Sequence, residues 1–198
     1  MLDFLNKIDV KLLLEINSHH TPFLDWMMWH ISGTFIWIPF YVFILIVLIK
    51  KLGKQSVLLI LLIAVLIVLS DQLASGLIKP LAHCLRPSHE PALVQHIHLV
   101  NGYKGGLYGF VSSHAANVFA LTFYLFFTVR KELPWLVTVL FPWAIIVSFS
   151  RIYLGVHYPF DILGAICVGL LTALLVAEVY KRISKKIQID TLNRFSNN

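Results

Sequence analysis

Between Val57 and Leu69 the chain carries no polar side chain at all, and the stretch from Phe35 to Ile49 is almost as pure. Apolar blocks of this length do not alternate as strands do, and a single small core has no room for them. They fit a solvent of hydrocarbon. The composition agrees: 58% of the 198 residues are hydrophobic and the mean hydropathy is +0.79, whereas an ordinary soluble domain is about 45–50% apolar.

Five membrane helices are expected, over about 24–49, 56–78, 112–129, 134–153 and 159–180. Lys50 and Lys51 close the first, and Ile31-Ser32-Gly33-Thr34 is placed to bend it. Trp26, Trp29 and Trp37 suit the headgroup level. Pro134 and Pro159 suit the first turns of the fourth and fifth. Ahead of them, Leu2, Leu5, Ile8, Leu12 and Ile16 recur at helical spacing among Asp3, Lys7, Asp9 and Lys11, predicting an amphipathic helix in the interface. The fold class is therefore all-α, a polytopic helical bundle. Its expected parts are an interfacial helix over 1–23, a membrane domain over 24–183 and a basic cytoplasmic tail over 184–198. No cleavable leader is expected, since the N-terminus mixes acids and bases without an apolar core. Cys84 and Cys167 lie in unlike surroundings and read as small buried hydrophobes rather than a disulfide.

The formal charge of +6 admits nucleic acid, a membrane surface or an anionic substrate as partner. No long polar, basic surface interleaved with aromatics exists for nucleic acid. Three basic groups (Lys50, Lys51 and Lys54; Arg130 and Lys131; Lys181, Arg182, Lys185 and Lys186) fall on one side of a five-span bundle, and the positive-inside rule makes that side the cytoplasm. Lys79, Arg86, Lys104 and Arg151 then lie outside, against the rule. Charges kept in such places point to function. An inner (cytoplasmic) membrane location with an extracytoplasmic site follows.

Three clusters meet on that side. In Ser150-Arg151-x5-His157-x3-Asp161, the carboxylate one turn on can hold one imidazole nitrogen and leave the other nucleophilic, while Arg151 can clamp phosphate oxygens in pairs. Ser112-Ser113-His114 opens a helix, where free N–H groups favour an anion, and His114 is placed to protonate a leaving oxygen. Lys79 and Arg86 add two cations suited to phosphate. Each pattern alone is also met in plain structural roles: an i, i+4 pair, an N-cap, snorkelling bases. Of the other histidines, His96 and His98 form an H-x-H with no third ligand evident, so no metal site is expected, and His19, His20 and His30 read as interfacial. Asp71, within the second span, is expected to face the bundle in a buried polar network.

Together the clusters resemble the type 2 phosphatidic acid phosphatases, a family that includes the vanadium haloperoxidases. Its motifs K-x6-RP, PSGH and SR-x5-H-x3-D are matched by Lys79-x6-Arg86-Pro87, Val111-Ser112-Ser113-His114 and Ser150-Arg151-x5-His157-x3-Asp161. The resemblance covers about residues 57–180, and the N-terminal region is similar to small bacterial members as well. It implies that Lys79, Arg86, Ser112, Ser113 and Arg151 bind phosphate. His157 attacks phosphorus to give a phosphohistidine, Asp161 orients it, and His114 protonates the leaving group, with no metal or other cofactor. Val111 and Ser113 replace the motif proline and glycine. A turn needing positive φ at 113 would strain serine, but with Ser112 and His114 both present the cradle is expected to survive. The expected activity is hydrolysis of a membrane-lipid phosphate or pyrophosphate. Undecaprenyl diphosphate is the first expectation, and phosphatidylglycerol phosphate, phosphatidic acid and lipid A phosphates are the alternatives. A phosphate-lipid binding or transport protein without hydrolysis is the rival of another class. Oligomeric state is not readable.

Overall fold

The computed structural model describes the backbone of residues 2–196 and the side chains of residues 4–188. Its helices are α1 (Leu2–Ser18), α2 (Pro22–Ser32), α3 (Ile38–Leu52), α4 (Gln55–Asp71), α5 (Lys79–Ala82), α6 (Ser113–Val129), α7 (Pro134–Tyr153) and α8 (Pro159–Ser196). A π-helical stretch, Gln72–Ile78, joins α4 to α5. Four runs are long and apolar enough to cross a membrane: Phe35–Leu52, Gln55–Ala82, Pro134–Tyr153 and Pro159–Gln188. The remaining expected span, the third, is α6, apolar but only 17 residues. At 1.5 Å per residue it covers about 26 Å, less than the ~30 Å hydrocarbon core. Its N-terminus follows Ser112 and carries Ser113-His114.

The first expected span is two helices, not one. Thr21 caps α2 by accepting from Leu24 N at 3.2 Å, and Pro22 follows. The chain turns extended at Gly33 (φ −72°, ψ 136°) and restarts through the short turn Phe35–Trp37. The membrane run therefore begins near Phe35 rather than at 24. Trp37 does more than mark the interface. Its indole Nε1 donates to Ile31 O at 2.7 Å, satisfying a carbonyl left over where α2 ends.

The centre of the bundle is α6 against α8. Ala115, Ala116, Ala120, Ala165 and Ala173 are fully buried, and small residues let the backbones approach. At Gly169 a Cβ would sit 2.8 Å from Ala120 N and 2.9 Å from Ala116 O, so only glycine fits. Outward, Val57, Leu61, Val65 and Val68 of α4 and Leu163, Leu171 and Leu175 of α8 are exposed, as helices in lipid require. Both cysteines are free and exposed rather than buried. Cys167 lies between Leu163 and Leu171 on the apolar outer face of α8, where a thiol behaves as a small hydrophobe in contact with lipid.

α1 is amphipathic, but the face it buries is partly polar. Asp9, Leu13 and Asn17 are buried while Phe4, Leu5 and Leu12 are exposed; the side chains of Leu2 and Asp3 lie outside the described residues. Asp9 Oδ1 accepts from Phe160 N at 2.9 Å, capping the start of α8. Burial raises the Asp9 carboxyl to about 6, with the Phe160 N–H opposing it. Asn17 Nδ2 donates to Tyr153 O and His98 O. The helix is thus keyed into the ends of α7 and α8. The segment expected as a tail continues α8 to Ser196; Asn197 and Asn198 lie outside the described residues.

Candidate active site

The turn between α7 and α8 places the central imidazole. Gly155 reverses the chain at φ +71°, where a Cβ would meet Ile97 Cγ2 at 2.4 Å. Two residues on, His157 is 1% exposed. Its Nδ1 lies 3.1 Å from Oδ2 of Asp161, which sits in the first turn of α8. The same oxygen accepts from Tyr158 N at 3.0 Å. A carboxylate fixed on Nδ1 leaves Nε2 as the reactive nitrogen. Burial first, then the charges of Arg86, Arg151 and Lys79, hold the His157 imidazole well below its ordinary range, so it is a neutral base at physiological pH.

The cations reach this imidazole from three segments. Arg151, in the last turn of α7, is 3% exposed. Its Nη1 donates to Ser32 Oγ, its guanidinium lies 5.7 Å from the Tyr103 ring centre, and its Nε is buried without a partner. Arg86 lies beyond the end of α5, in an extended clasp closed by Arg86 N→Leu107 O (3.0 Å) and Gly109 N→Cys84 O (2.9 Å). Its Nε donates to Tyr108 O and its Nη1 to Val156 O, one residue from His157. A Cβ at Gly105 would stand 2.7 Å from Nη1 of Arg86, so the loop's glycines let the backbone close over the guanidinium. Lys79 Nζ donates to Ser113 Oγ at 3.2 Å. Among the described residues none of these three cations forms an ion pair with a carboxylate. Buried guanidinium groups without a counter-charge are costly; here they surround a place for an anion.

The N-terminus of α6 completes that place. Ser112 is the N-cap, and its Oγ accepts from Ala115 N at 3.4 Å. Its own N–H is spent on Asp161 O at 3.3 Å, which locks α6 to the start of α8. Ser112 therefore offers its hydroxyl rather than its amide, and the N–H groups left for an anion are those of Ser113 and His114. Ser113 is the first helical residue and is not among the positive-φ positions. Serine in place of the motif glycine is unstrained, and its hydroxyl serves Lys79.

His114 lies between this cradle and a cavity of about 420 Å³ bounded by α3, α4, α6 and α7. Ser32, Asp71, Ser113, His114 and Asn117 form its polar part; Trp37, Tyr41, Ile44, Ile63, Leu121 and Trp143 are among its apolar walls. All eight expected site residues thus belong to one neighbourhood. Ser32, Tyr103 and Tyr108 also belong to it and carry no sequence signal, because they act at distances of up to 119 residues through single contacts.

A second polar cluster joins His20, Asp25 and His98, whose ligand atoms lie within 4.8 Å of one another. His98 Nε2 meets Asp25 Oδ2 at 2.7 Å, and Asp25 Oδ1 accepts from Tyr153 OH at 2.7 Å. The imidazoles of His20 and His98 stack 3.8 Å apart and only 10° from parallel. Imidazole binds a metal along a lone pair in its ring plane, and two nearly parallel planes do not meet at one ion. In this arrangement the cluster ties the loop and α2 to the end of α7.

A buried imidazole held by a carboxylate, a second imidazole and three cations without a carboxylate partner, opening on an apolar cavity in a membrane bundle, suit phosphoryl transfer on a lipid. The profile of the PAP2 superfamily matches residues 59–185, and the chain belongs to that superfamily. It is 37% identical to a lipid A 4'-phosphatase of Bacteroides thetaiotaomicron over 96% of this chain and 85% of that one. A lipid A 4'-phosphatase of Porphyromonas gingivalis is 31% identical over 90% and 75%. The crystal structure of a PAP2-type phosphatidylglycerolphosphate phosphatase from Bacillus subtilis superposes with a TM-score of 0.65 at 23% identity, covering 90% of this chain and 87% of that one. The protein is a membrane lipid phosphatase. The first expectation of undecaprenyl diphosphate gains no specific support from these relatives; the lipid A alternative fits them better.

Proposed function

We propose that the enzyme removes the 4'-phosphate of lipid A through a phosphohistidine at His157. The observation that carries this is the bond from Nδ1 of a neutral, buried His157 to Asp161, which directs Nε2 to the cation-lined space. Lys79, Arg86 and Arg151, with the Ser112 hydroxyl and the Ser113 and His114 N–H groups, hold the phosphoryl oxygens. Nε2 attacks phosphorus. The bond from phosphorus to the sugar oxygen breaks, and His114 gives that oxygen a proton. Water then gives its proton to His114 as it attacks phosphorus, the P–N bond breaks, and inorganic phosphate leaves with His157 and His114 both regenerated. The negative charge that builds on the transferring group meets cations already in position, so little reorganisation is needed.

The choice of lipid A rests on the two 4'-phosphatase relatives, both matched over most of their length. The cavity beside His114 supports a lipid whose chains stay among the helices while the phosphate reaches the cradle. By the charge pattern of the loops, the site faces the extracytoplasmic side of the inner membrane.

The test is phosphate release in detergent from lipid A, undecaprenyl diphosphate and phosphatidic acid, with His157→Ala as control. Lipid A is expected to give the highest kcat/KM, with loss of its 4'-phosphate. Equal release by His157→Ala, or preferred turnover of the isoprenyl diphosphate, would remove the proposal.

A further inference from the structure

Asp71 is an acid inside an apolar span, and the phosphate chemistry does not use it. It lines the cavity at the end of α4, immediately before the π-helical stretch. Its Oδ1 accepts from Asn117 Nδ2 at 3.4 Å. Among the described residues its other oxygen has no hydrogen-bond partner, and no cation forms an ion pair with it. Asn117 lines the same cavity one turn of α6 beyond His114, and its Oδ1 is buried without a partner. The network is completed on one side only: Asp71 is half-buried at the cavity wall, and the buried Asn117 Oδ1 is costly unless something meets it. Acids within membrane spans mark places where a ligand passes or binds.

The chemistry missing here is a donor. Asp71 offers an acceptor, and Asn117 has spent an N–H on Asp71 while keeping an oxygen unpaired. Asn117 stands three residues past His114, about 4.5 Å along the helix. A group that complements the pair would lie within a few bonds of the phosphate. It must be an O–H or N–H donor, and not a second phosphate, which a carboxyl group would oppose.

We infer that Asp71, held by Asn117, is a subsite for a hydroxyl or amide N–H of the lipid next to the phosphate being removed. The inference rests on the lipid A reading and deepens it. Lipid A is a glucosamine lipid with amide-linked and hydroxylated acyl chains, so it carries both donors, whereas phosphatidic acid and isoprenyl diphosphates carry neither.

The experiment compares kcat/KM for monophosphoryl glucosamine lipids differing in one group: hydroxyacyl against plain acyl, and amide-linked against ester-linked chains. A hydrogen bond to a charged group is worth about 1.5–3 kcal/mol, roughly 10- to 150-fold. The wild-type enzyme is expected to lose about tenfold or more on one of the two changes, which identifies the donor as hydroxyl or amide. In Asp71→Ala that preference is expected to shrink to within about threefold. Indifference of the wild-type enzyme to both changes overturns the subsite without any variant having to fold. A fall in Asp71→Ala on all substrates alike, with the preference intact, also overturns it and makes Asp71 structural. If the wild-type enzyme releases no phosphate from any glucosamine lipid, the lipid A reading itself has failed, a result distinct from either.

Discussion

Asp161 allows a test in which two substitutions must behave differently. Its Oδ2 accepts both His157 Nδ1–H and Tyr158 N–H, at 3.1 and 3.0 Å. The backbone N–H of Tyr158 can only donate. In Asp161→Asn it therefore selects the rotamer with the amide oxygen at the Oδ2 position, and that oxygen still accepts from Nδ1. The His157 imidazole keeps its tautomer and loses only the charge of its partner. A charge-assisted hydrogen bond is worth about 1.5–3 kcal/mol against about 0.5–1.5 for a neutral one, so the difference is about 1–1.5 kcal/mol, or roughly 5- to 13-fold in kcat. Asp161→Ala removes both bonds, and its loss is expected to reach about 10²- to 10⁴-fold, the range set by a freed catalytic base. The serine-protease triad loses about 10⁴-fold on the equivalent Asp→Asn change because the wrong tautomer results; the Tyr158 N–H is what should prevent that here. The assay is single-turnover formation of phosphoenzyme from labelled lipid, with thermal melting to show that both variants fold. If Asp161→Asn falls to within threefold of Asp161→Ala, the Tyr158 N–H does not set the rotamer and the reasoning fails.

His157→Ala is expected to abolish turnover while labelled lipid still binds; label trapped on any other residue after acid-free quench would contradict the assignment. The depressed basicity of His157 makes stability depend on pH with a definite sign. The unfolded chain takes up a proton near the ordinary value of 6.5 while the folded one does not, so the melting temperature is expected to fall as pH drops from 7 through that range. The same slope in a folded His157→Ala variant as in wild type would count against it. Asp9 has the opposite sign, because its carboxyl is raised to about 6. Asp9→Asn keeps the acceptor for Phe160 N and is expected to raise the melting temperature at pH 8 but not at pH 4. Gly169→Ala places a methyl against the α6 backbone and is expected to cost about 1–3 kcal/mol, read as a lowered melting temperature; no change would mean that α6 and α8 are not packed this closely.

What the sequence made legible was whatever is local. The i, i+4 pair His157–Asp161, the capping serine at 112 and the apolar runs each declare themselves within a few residues, since helix geometry fixes which neighbours meet. The bundle follows from the runs, because hydrocarbon leaves few other ways to satisfy a backbone. The break at Gly33–Trp37 was only half legible. Ile31-Ser32-Gly33-Thr34 signals a bend, but the bond from Trp37 Nε1 to Ile31 O that lets α2 end there depends on a side-chain orientation. Long-range polar partners were not legible at all. Asp9 to Phe160 and Ser32 to Arg151 are single contacts between distant segments, and Asn17 with His98 is one reciprocal pair of bonds, with no repeating pattern to betray them.

The same division explains why chemistry is easier to read here than substrate. The cradle is built from charged groups that a membrane protein has little other reason to bury, so Lys79, Arg86 and Arg151 stand out against the hydropathy of their surroundings. The lipid-facing half of the site is built from Trp37, Tyr41, Ile63 and Trp143, residue types that every helix of the bundle uses for packing. Beyond the phosphate cradle, the hydrogen-bonded pair Asp71 and Asn117 breaks that uniformity. If selectivity among lipid phosphates resides in this chain, those two positions are where polar chemistry can impose it, since apolar walls distinguish acyl chains by only about 0.8 kcal/mol per methylene. A hydrogen-bonding group beside the phosphate is worth two to four times that, so replacing Asp71 should alter the order of preference among lipids, while replacing Ile63 by valine should change rates without reordering them.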